Sequence, residues 1–208
     1  MAFPQERLLY TIGQYLDMER AAEERHEFVD GHLYTMSGET LSHSRICINL
    51  AVSIGSQLRG KPCEALSPNM KVRSGPYIKE QRTTKGLFSY ADLTVVCGKP
   101  EFHDKHQDVL LNPTVIFEVL SDSTEAFDRG LKLLRYRAQL ATLQEYVLVW
   151  QDAPIIEVYT RQSNGWLLSE HQGLESSVYL ASIDCRLSLQ EVFDRVTFPE
   201  PDEDEGEV

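Results

Sequence analysis

The sequence predicts an α/β fold in which a mixed central sheet is flanked by helices, with extra antiparallel strands towards the C-terminus. Apolar residues recur every fourth position from about Thr40 to Arg59, a spacing typical of an amphipathic helix. Two apolar runs, Tyr90 to Val96 and Thr114 to Leu120, are rich in β-branched residues and predict buried strands. Because helical and strand segments alternate, helices packed against a sheet are the natural arrangement.

The N-terminal part predicts a helix followed by a hairpin. Thr11-Ile12-Gly13-Gln14 has the capping-box pattern, which predicts a helix from there to about Arg25. Asp30-Gly31 stands between Glu27-Phe28-Val29 and His32-Leu33-Tyr34, and this dipeptide is the strongest short hairpin signal.

The remaining elements follow in order along the chain. Gly60 and Pro62 end the amphipathic helix, and residues 74–89 predict a loop. Further strands are expected at Met70–Arg73, Tyr146–Trp150, Ile155–Tyr159, Trp166–Leu168 and Val178–Leu180, and further helices at about Glu125–Gln139 and Leu189–Val196. We expect residues 1–198 to form one domain and residues 199–208 to form an acidic, disordered tail.

The charge balance is acidic, with 32 Asp and Glu against 20 Lys and Arg and a net charge of −12. This balance argues against non-specific binding to a polyanion. Basic residues concentrate between Arg59 and Lys85, where a basic surface and a solvated loop are both compatible with the pattern. They are Arg59, Lys61, Lys71, Arg73, Lys79, Arg82 and Lys85.

The cysteines and the apolar runs indicate the cellular compartment in which the protein is expected. Cys47, Cys63, Cys97 and Cys185 are scattered, without a Cys-x-x-Cys pair, which predicts reduced, buried thiols in the cytoplasm. The apolar runs are too short to cross a membrane, and the N-terminus lacks the pattern of a signal peptide. The sequence therefore predicts a cytoplasmic protein.

Two strand carboxylates carry the functional prediction. Glu118 and Asp92 each lie in an apolar run, where an ionised carboxylate loses its hydration unless a cation or several donors compensate. If the two strands are neighbours, both acids converge on one point. Such oxygen ligands favour Mg²⁺, or alternatively Mn²⁺, over zinc. The alternative is that each acid pairs with its own Lys or Arg or lies at an exposed strand end.

The helix after Glu118 supplies a basic candidate. Asp128, Lys132, Arg135 and Tyr136 fall on one helix face, next to an apolar stripe. Lys132 could therefore reach a phosphate or an attacking water near Glu118. The alternative is a surface ion pair with Asp128, worth a few tenths of a kcal/mol. A loop cluster of His103, Asp104, His106 and Asp108 also has metal-ligand residue types, but we do not assign it a site.

Several segments in this order resemble the Uma-two-type family of restriction endonucleases, a branch of the PD-(D/E)xK nuclease superfamily. The resemblance covers about residues 11 to 195. It is carried by Glu27–Gly31, His43, Tyr90–Val96, Phe117–Thr124, Asp128 through Lys132 to Tyr136, and Leu143–Tyr146.

The resemblance implies a restriction-endonuclease-like core with a four-stranded mixed sheet, and it makes Asp92 and Glu118 magnesium ligands. Leu120 stands where the superfamily pattern expects a lysine, and Lys132 is the replacement that the family pattern suggests. Glu27 and His43 match recurrent polar positions of the family. Their alternative interpretations are a surface acid on the hairpin and a histidine at a helix N-terminus.

The function predicted from these residues is a metal-dependent endonuclease that hydrolyses phosphodiester bonds in nucleic acid, with DNA as the expected substrate. A rival hypothesis is a nuclease-like scaffold that does not cut and serves as a binding module, as a homodimer for example. A third is the same chemistry on RNA, which the sequence cannot separate from the first.

Overall fold

The structure, a computed structural model, describes residues 9–36, 38–75 and 82–199. A six-stranded mixed sheet has the order β11-β10-β9-β8-β6-β3, a five-stranded sheet has the order β2-β1-β5-β4-β7, and β12 pairs with β13. The strands are β1 His26–Val29, β2 His32–Thr35, β3 Cys63–Leu66, β4 Lys71–Ser74, β5 Leu87–Tyr90, β6 Leu93–Cys97, β7 Val109–Leu110, β8 Val115–Val119, β9 Glu145–Val149, β10 Ile155–Gln162, β11 Gly165–Gln172, β12 Ser177–Leu180 and β13 Cys185–Ser188. The helices are α1 Ile12–Glu19, α2 Leu41–Leu58, α3 Glu125–Phe127, α4 Leu133–Gln139 and α5 Leu189–Val192. This architecture confirms the predicted α/β class.

The N-terminal helix and hairpin form as their local signals predict. Thr11 and Gln14 make both hydrogen bonds of the capping box, although α1 ends at Glu19, before the predicted Arg25. Strands β1 and β2 pair in antiparallel fashion around the turn. Asp30 and Gly31 have φ values of 46° and 97°, the left-handed conformation that this hairpin turn requires.

The chain changes sheet at Asp92, which the sequence did not predict. The segment Tyr90–Val96 was expected to be one strand, but β5 belongs to the five-stranded sheet and β6 to the six-stranded sheet. Ala91 and Asp92 form the short connection between them. The predicted loop at 74–89 was correspondingly too long, because Leu87 to Ser89 already pair with β1 and β4.

Two apolar layers cover the six-stranded sheet. Helix α2 buries Ile46, Leu50, Ile54 and Leu58 against one face, as its four-residue spacing predicts. The opposite face packs against Leu133 and the other buried residues of α4. Strand β8 lies between these layers, so all five of its residues are buried.

The predicted helix Glu125–Gln139 is not a uniform α-helix. A π-helical turn, Asp128–Lys132, separates α3 from α4. Such turns place one extra residue in a helix and are frequent at functional sites. Here the turn buries Asp128 and Lys132, of which the sequence placed Lys132 beside the packing face rather than opposite it.

The prediction of four reduced cysteines was wrong. Cys63 and Cys97 form a disulfide, while Cys47 and Cys185 are free. The two bonded cysteines face each other directly in the antiparallel pairing of β3 and β6. This pairing could not be predicted from the sequence because β3 was not predicted and the two cysteines are 34 residues apart.

Within the described residues, no helix has the length and apolar character needed to cross a lipid bilayer. The predicted acidic tail, 199–208, lies outside the described residues except for Pro199.

Candidate active site

Glu118 and Lys132 form a buried ion pair at the centre of the site. Glu118 lies in β8 and Lys132 at the end of the π-helical turn, and their side chains are only 3% and 5% exposed. Lys132 Nζ lies 3.2 Å from Glu118 Oε2. The alternative of a surface ion pair for Lys132 is therefore wrong, and Lys132 faces the second predicted acid.

Two further carboxylates surround the same ammonium. Lys132 Nζ lies 3.2 Å from Glu27 Oε1 and 2.9 Å from Asp128 Oδ1. Glu27 is buried in β1 rather than exposed on the hairpin surface, and its Oε1 also accepts the backbone N–H of Tyr90 at 3.2 Å. Glu27 thus joins the site, as the family pattern suggested.

Asp92 stands at the entrance to β6, beside the end of β8. Strands β6 and β8 pair Leu93 with Phe117, and continuing this antiparallel register sets Asp92 opposite Glu118. Asp92 N–H donates to Phe117 O at 3.1 Å, and Asp92 Oδ2 accepts the N–H of Val119 at 2.7 Å. The backbone of β8 therefore fixes the first predicted acid next to the second.

His43 approaches Asp92 from the other layer. It lies in the first turn of α2, and its Nε2 is 3.5 Å from Asp92 Oδ2. Its Nδ1 is 3.1 Å from Glu39 Oε2 and 3.4 Å from Cys47 Sγ. The five predicted site residues thus form two connected groups, with Glu27, Glu118 and Lys132 in one and Asp92 and His43 in the other.

The electrostatics of the site follow from burial and excess negative charge. Burial raises the pKa of Glu118 well above its usual value, and the negative charges of Asp128, Asp92 and Glu27 add to the effect, against the lowering influence of Lys132. For Lys132, burial acts to lower the pKa, but Glu118 and the other carboxylates hold it well above its usual range. Lys132 is therefore a permanent cation at neutral pH.

His43 is also held as a cation in the absence of metal. Burial acts to lower its pKa, but Asp92 and Cys47 raise the pKa to about 11. The imidazolium form donates a proton from each ring nitrogen, which suits the acceptors on both sides of the ring.

Neighbouring side chains hold the π-helical turn in place. Tyr146 donates to the Asp128 carbonyl at 3.1 Å, and the Tyr136 and Ser89 hydroxyl oxygens lie 2.7 Å apart. Arg135 makes an ion pair with Asp30 in the hairpin turn. The helix that carries Lys132 is therefore tied to the hairpin that carries Glu27.

The residues present fit a divalent cation. Four carboxylates, those of Glu27, Asp92, Glu118 and Asp128, share one ammonium and one imidazolium. Among the described residues, Glu118 Oε1 is buried without a hydrogen-bond partner. No three of these carboxylates in the described chain approach within 4.8 Å, since Lys132 separates three of them. Mg²⁺ usually takes one or two carboxylates and completes its coordination with water, so two carboxylates such as those of Glu118 and Asp92 would suffice to hold it.

The described part of the basic stretch Arg59–Lys85 does not form the basic surface that was one of its two interpretations. Lys71 and Arg73 are buried, with Lys71 Nζ 3.2 Å from Asp108 and Arg73 2.7 Å from His103 Nδ1. Lys61 binds the backbone and side chain of Asp184. Arg59, Arg82 and Lys85 are exposed, and Lys79 lies outside the described residues.

The loop cluster around His103 is an arginine-binding cluster. Asp104 and Asp108 both make ion pairs with Arg20 of the α1 C-terminus. The carboxylates of this cluster are thus engaged by an arginine.

Sequence reasoning missed three residues that the structure places at the site. Asp128 was not proposed as a site residue, since the sequence considered it only on the helix face of Lys132 and as its surface partner in the alternative interpretation, and it is 2% exposed. Glu39 and Cys47 were not considered as site residues, although they lie four residues before and after His43. That i, i+4 spacing places side chains on one helix face and is the signal that would have identified them.

Comparison with known proteins identifies a family and two relatives of this chain. The Uma2 family, described as "Putative restriction endonuclease", matches residues 12–190. Two uncharacterized proteins of Synechocystis sp., sll1609 and slr1290, are each 30% identical to this chain, over 82% and 89% of its length and 92% of their own.

A solved structure shares the fold. The crystal structure described as "a putative nuclease belonging to DUF820 from Anabaena variabilis" superimposes with a TM-score of 0.71 at 16% identity, covering 90% of this chain and 99% of that one. Both the sequence match and the fold therefore lead to one assignment: this chain belongs to the Uma2 family of restriction-endonuclease-like proteins.

Proposed function

We propose that this protein is an endonuclease that hydrolyses phosphodiester bonds in DNA and depends on Mg²⁺ or Mn²⁺. The observation that carries the proposal is Glu118 Oε1, a buried carboxylate oxygen without a donor among the described residues. Leaving such an oxygen unsatisfied is costly, and a cation is the partner that its negative surroundings favour. Family membership supports the nuclease class.

Glu118 and Asp92 are the residues that would hold the metal. A bound Mg²⁺ polarises a phosphoryl oxygen and lowers the pKa of a coordinated water. Glu118 offers its Oε1, whereas Asp92 uses Oδ2 to accept the Val119 N–H and so keeps Oδ1 for a ligand. No hydrogen bond to Asp92 Oδ1 occurs within the described part of the chain.

Lys132 supplies the positive charge expected of the superfamily lysine. It comes from the π-helical turn rather than from β8, where Leu120 occupies the expected position. Its ammonium is fixed by Glu27, Asp128 and Glu118, so it cannot swing away into solvent. In this role it orients the attacking water or neutralises charge at the scissile phosphate, a preorganised electrostatic contribution.

The test is cleavage of supercoiled plasmid DNA with Mg²⁺ or Mn²⁺, comparing the parent protein with Glu118→Ala. A matched control is Glu145→Gln. Glu145 is an equally buried strand acid, but its oxygens accept the Ala181 N–H and the Ser182 hydroxyl, so it has no need of a metal. We expect the parent and Glu145→Gln to cut and Glu118→Ala not to cut.

Other outcomes separate the rival hypotheses. Equal cutting by the parent and Glu118→Ala would mean a contaminating nuclease. If no protein cuts and Mg²⁺ leaves the melting temperature of the parent unchanged, the chain is a non-cutting scaffold. Cleavage of RNA but not of plasmid would assign the same chemistry to RNA. In either active case, phosphate contacts should make substrate affinity fall steeply with salt.

A further inference from the structure

The first turns of α2 bring three different metal-ligating side chains together. His43 and Cys47 are four residues apart in α2 and share one face of the helix. Glu39 lies four residues before His43, immediately before the N-cap residue Thr40. Glu39 Oε2 lies 3.1 Å from His43 Nδ1, and Cys47 Sγ lies 3.4 Å from the same nitrogen. Across residues 9–36, 38–75 and 82–199, no other trio of His, Cys, Asp and Glu ligand atoms lies within 4.8 Å of one another.

The two separations from His43 Nδ1 are close to those of a tetrahedral metal site, and the third, between the Glu39 and Cys47 ligand atoms, is within 4.8 Å. Bonds of about 2.0–2.1 Å to nitrogen or oxygen and about 2.3 Å to sulfur place tetrahedral ligand atoms about 3.3–3.6 Å apart. The observed 3.1 Å and 3.4 Å are within about 0.2 Å of that spacing. Glu39 is exposed, so its side chain can adjust to complete the geometry.

A second observation concerns the other nitrogen of the same ring. His43 Nε2 faces Asp92 Oδ2 at 3.5 Å, and the backbone of Val119 holds that oxygen at 2.7 Å. Metal-binding histidines commonly direct their second ring nitrogen at a carboxylate, which fixes the ring and its tautomer. The arrangement leaves Nδ1 directed at Glu39 and Cys47.

We propose that Glu39, His43 and Cys47 form a second metal site, selective for a borderline divalent transition metal such as Zn²⁺ or Co²⁺, with water as the fourth ligand. The thiolate and imidazole ligands disfavour Mg²⁺, so this site and the Glu118 site differ in metal preference. On binding, the Cys47 thiol and Nδ1 of the His43 imidazolium each lose a proton to solvent, so that the thiolate sulfur and the neutral imidazole nitrogen coordinate the metal. The bound metal fixes the His43 ring against Asp92 and so positions that carboxylate.

Co²⁺ is the probe of choice because a cysteine thiolate bound to it absorbs light by sulfur-to-metal charge transfer. The full chain is freed of metal with a chelator, without reductant so that the disulfide stays closed, and is titrated with Co²⁺. We expect one equivalent to bind with this absorption, and Zn²⁺ but not Mg²⁺ to abolish it. Cys47→Ser should lose the absorption, whereas the matched control Cys185→Ser, which removes the other free thiol, should keep it.

Two further variants keep the proposal testable if Cys47→Ser folds poorly. Glu39→Gln changes an exposed side chain and should weaken Co²⁺ binding roughly tenfold or more, with Asp92→Asn weakening it by about 10- to 100-fold through the ring orientation. Glu118→Ala should bind Co²⁺ with the same absorption as the parent. That result would show that Co²⁺ binding at this site does not depend on the proposed nuclease site, so that either proposal can be wrong without the other.

The proposal is overturned if the parent shows no thiolate absorption with Co²⁺. It is equally overturned if Cys47→Ser retains the absorption, or if Cys185→Ser is the variant that loses it. Unchanged affinity in Glu39→Gln would remove the carboxylate from the site and with it the three-ligand assignment.

Discussion

Lys132 Nζ lies 3.2 Å from Glu118 Oε2, with both side chains almost completely buried. A buried pair of this kind contributes little net stability by itself, but removing one partner leaves the other charge uncompensated. Because this one ammonium also contacts Glu27 and Asp128, loss of Lys132 leaves three carboxylates uncompensated, whereas loss of the Glu118 charge leaves Lys132 with two partners.

Lys132→Met should be strongly destabilising. It leaves the carboxylates of Glu27, Glu118 and Asp128 buried around an apolar side chain, and we expect the free energy of unfolding to fall by about 3–5 kcal/mol. Urea denaturation at pH 7 measures the change, with Lys105→Met at an exposed position as the control. A loss below about 1 kcal/mol would mean that the ammonium does not compensate these charges.

Glu118→Gln should keep the stability of the parent but lose its proposed nuclease activity. Because burial raises the pKa of Glu118, the native state binds its proton more tightly than the unfolded chain does. Stability is then lost as pH rises above about 4.3, and the variant should lack this loss. We expect Glu118→Gln to be at least as stable as the parent at pH 7 without metal, yet unable to cut DNA.

Mg²⁺ provides the complementary measurement. A ligand at 100 times its dissociation constant raises the free energy of unfolding by about 2.7 kcal/mol. Mg²⁺ should therefore raise the melting temperature of the parent and leave that of Glu118→Gln nearly unchanged. An equal rise in both proteins would place the metal elsewhere.

Asp108→Asn should destabilise the protein in a pH-dependent way. Hydrogen bonds from Arg20, with Lys71 nearby, hold the pKa of Asp108 well below its usual range. A lowered pKa contributes stability that is present above the unfolded value of about 3.9 and is lost as pH falls through the folded value. Because the carboxylate is partly exposed, we expect a loss of about 1 kcal/mol at pH 7 that shrinks below about pH 4 in urea denaturation.

The Cys63–Cys97 disulfide closes a loop across a sequence separation of 34 residues. Chain-entropy arguments give such a cross-link about 3–4 kcal/mol of stabilisation. Cys63→Ser with Cys97→Ser should lower the free energy of unfolding by that order. Thiol titration of the denatured, unreduced parent should find two reactive cysteines, and four would contradict the disulfide.

Local patterns predicted the elements of this fold well. The capping box at Thr11, the Asp30-Gly31 hairpin and the apolar spacing of α2 each depend on residues close in sequence, and each is confirmed. Glu118 was identifiable because a charge inside an apolar strand always needs compensation. Lys132, which compensates this charge, could also be identified from the sequence because it lies in the next predicted helix.

The same reasoning failed where the structure depends on contacts between residues that are distant in sequence. The sheet change at Asp92 depends on which strands β5 and β6 find as neighbours, and no residue at 91 or 92 signals it. The π-helical turn was also not predicted, and it buries Asp128 together with Lys132, whereas the sequence left a surface ion pair between them as the alternative. Lys71 and Arg73 resembled a solvent-facing basic segment because their acceptors, Asp108 and His103, are distant in sequence.

Glu27 belongs to the five-stranded sheet and Glu118 to the six-stranded sheet, and a single ammonium touches both. Neither sheet alone carries all of the candidate site residues. A nascent or partly unfolded chain with only one sheet formed would consequently be inert towards nucleic acid. If the chain is the DNA endonuclease proposed above, this dependence on complete assembly would keep incompletely folded chains from cutting the DNA of their own cell.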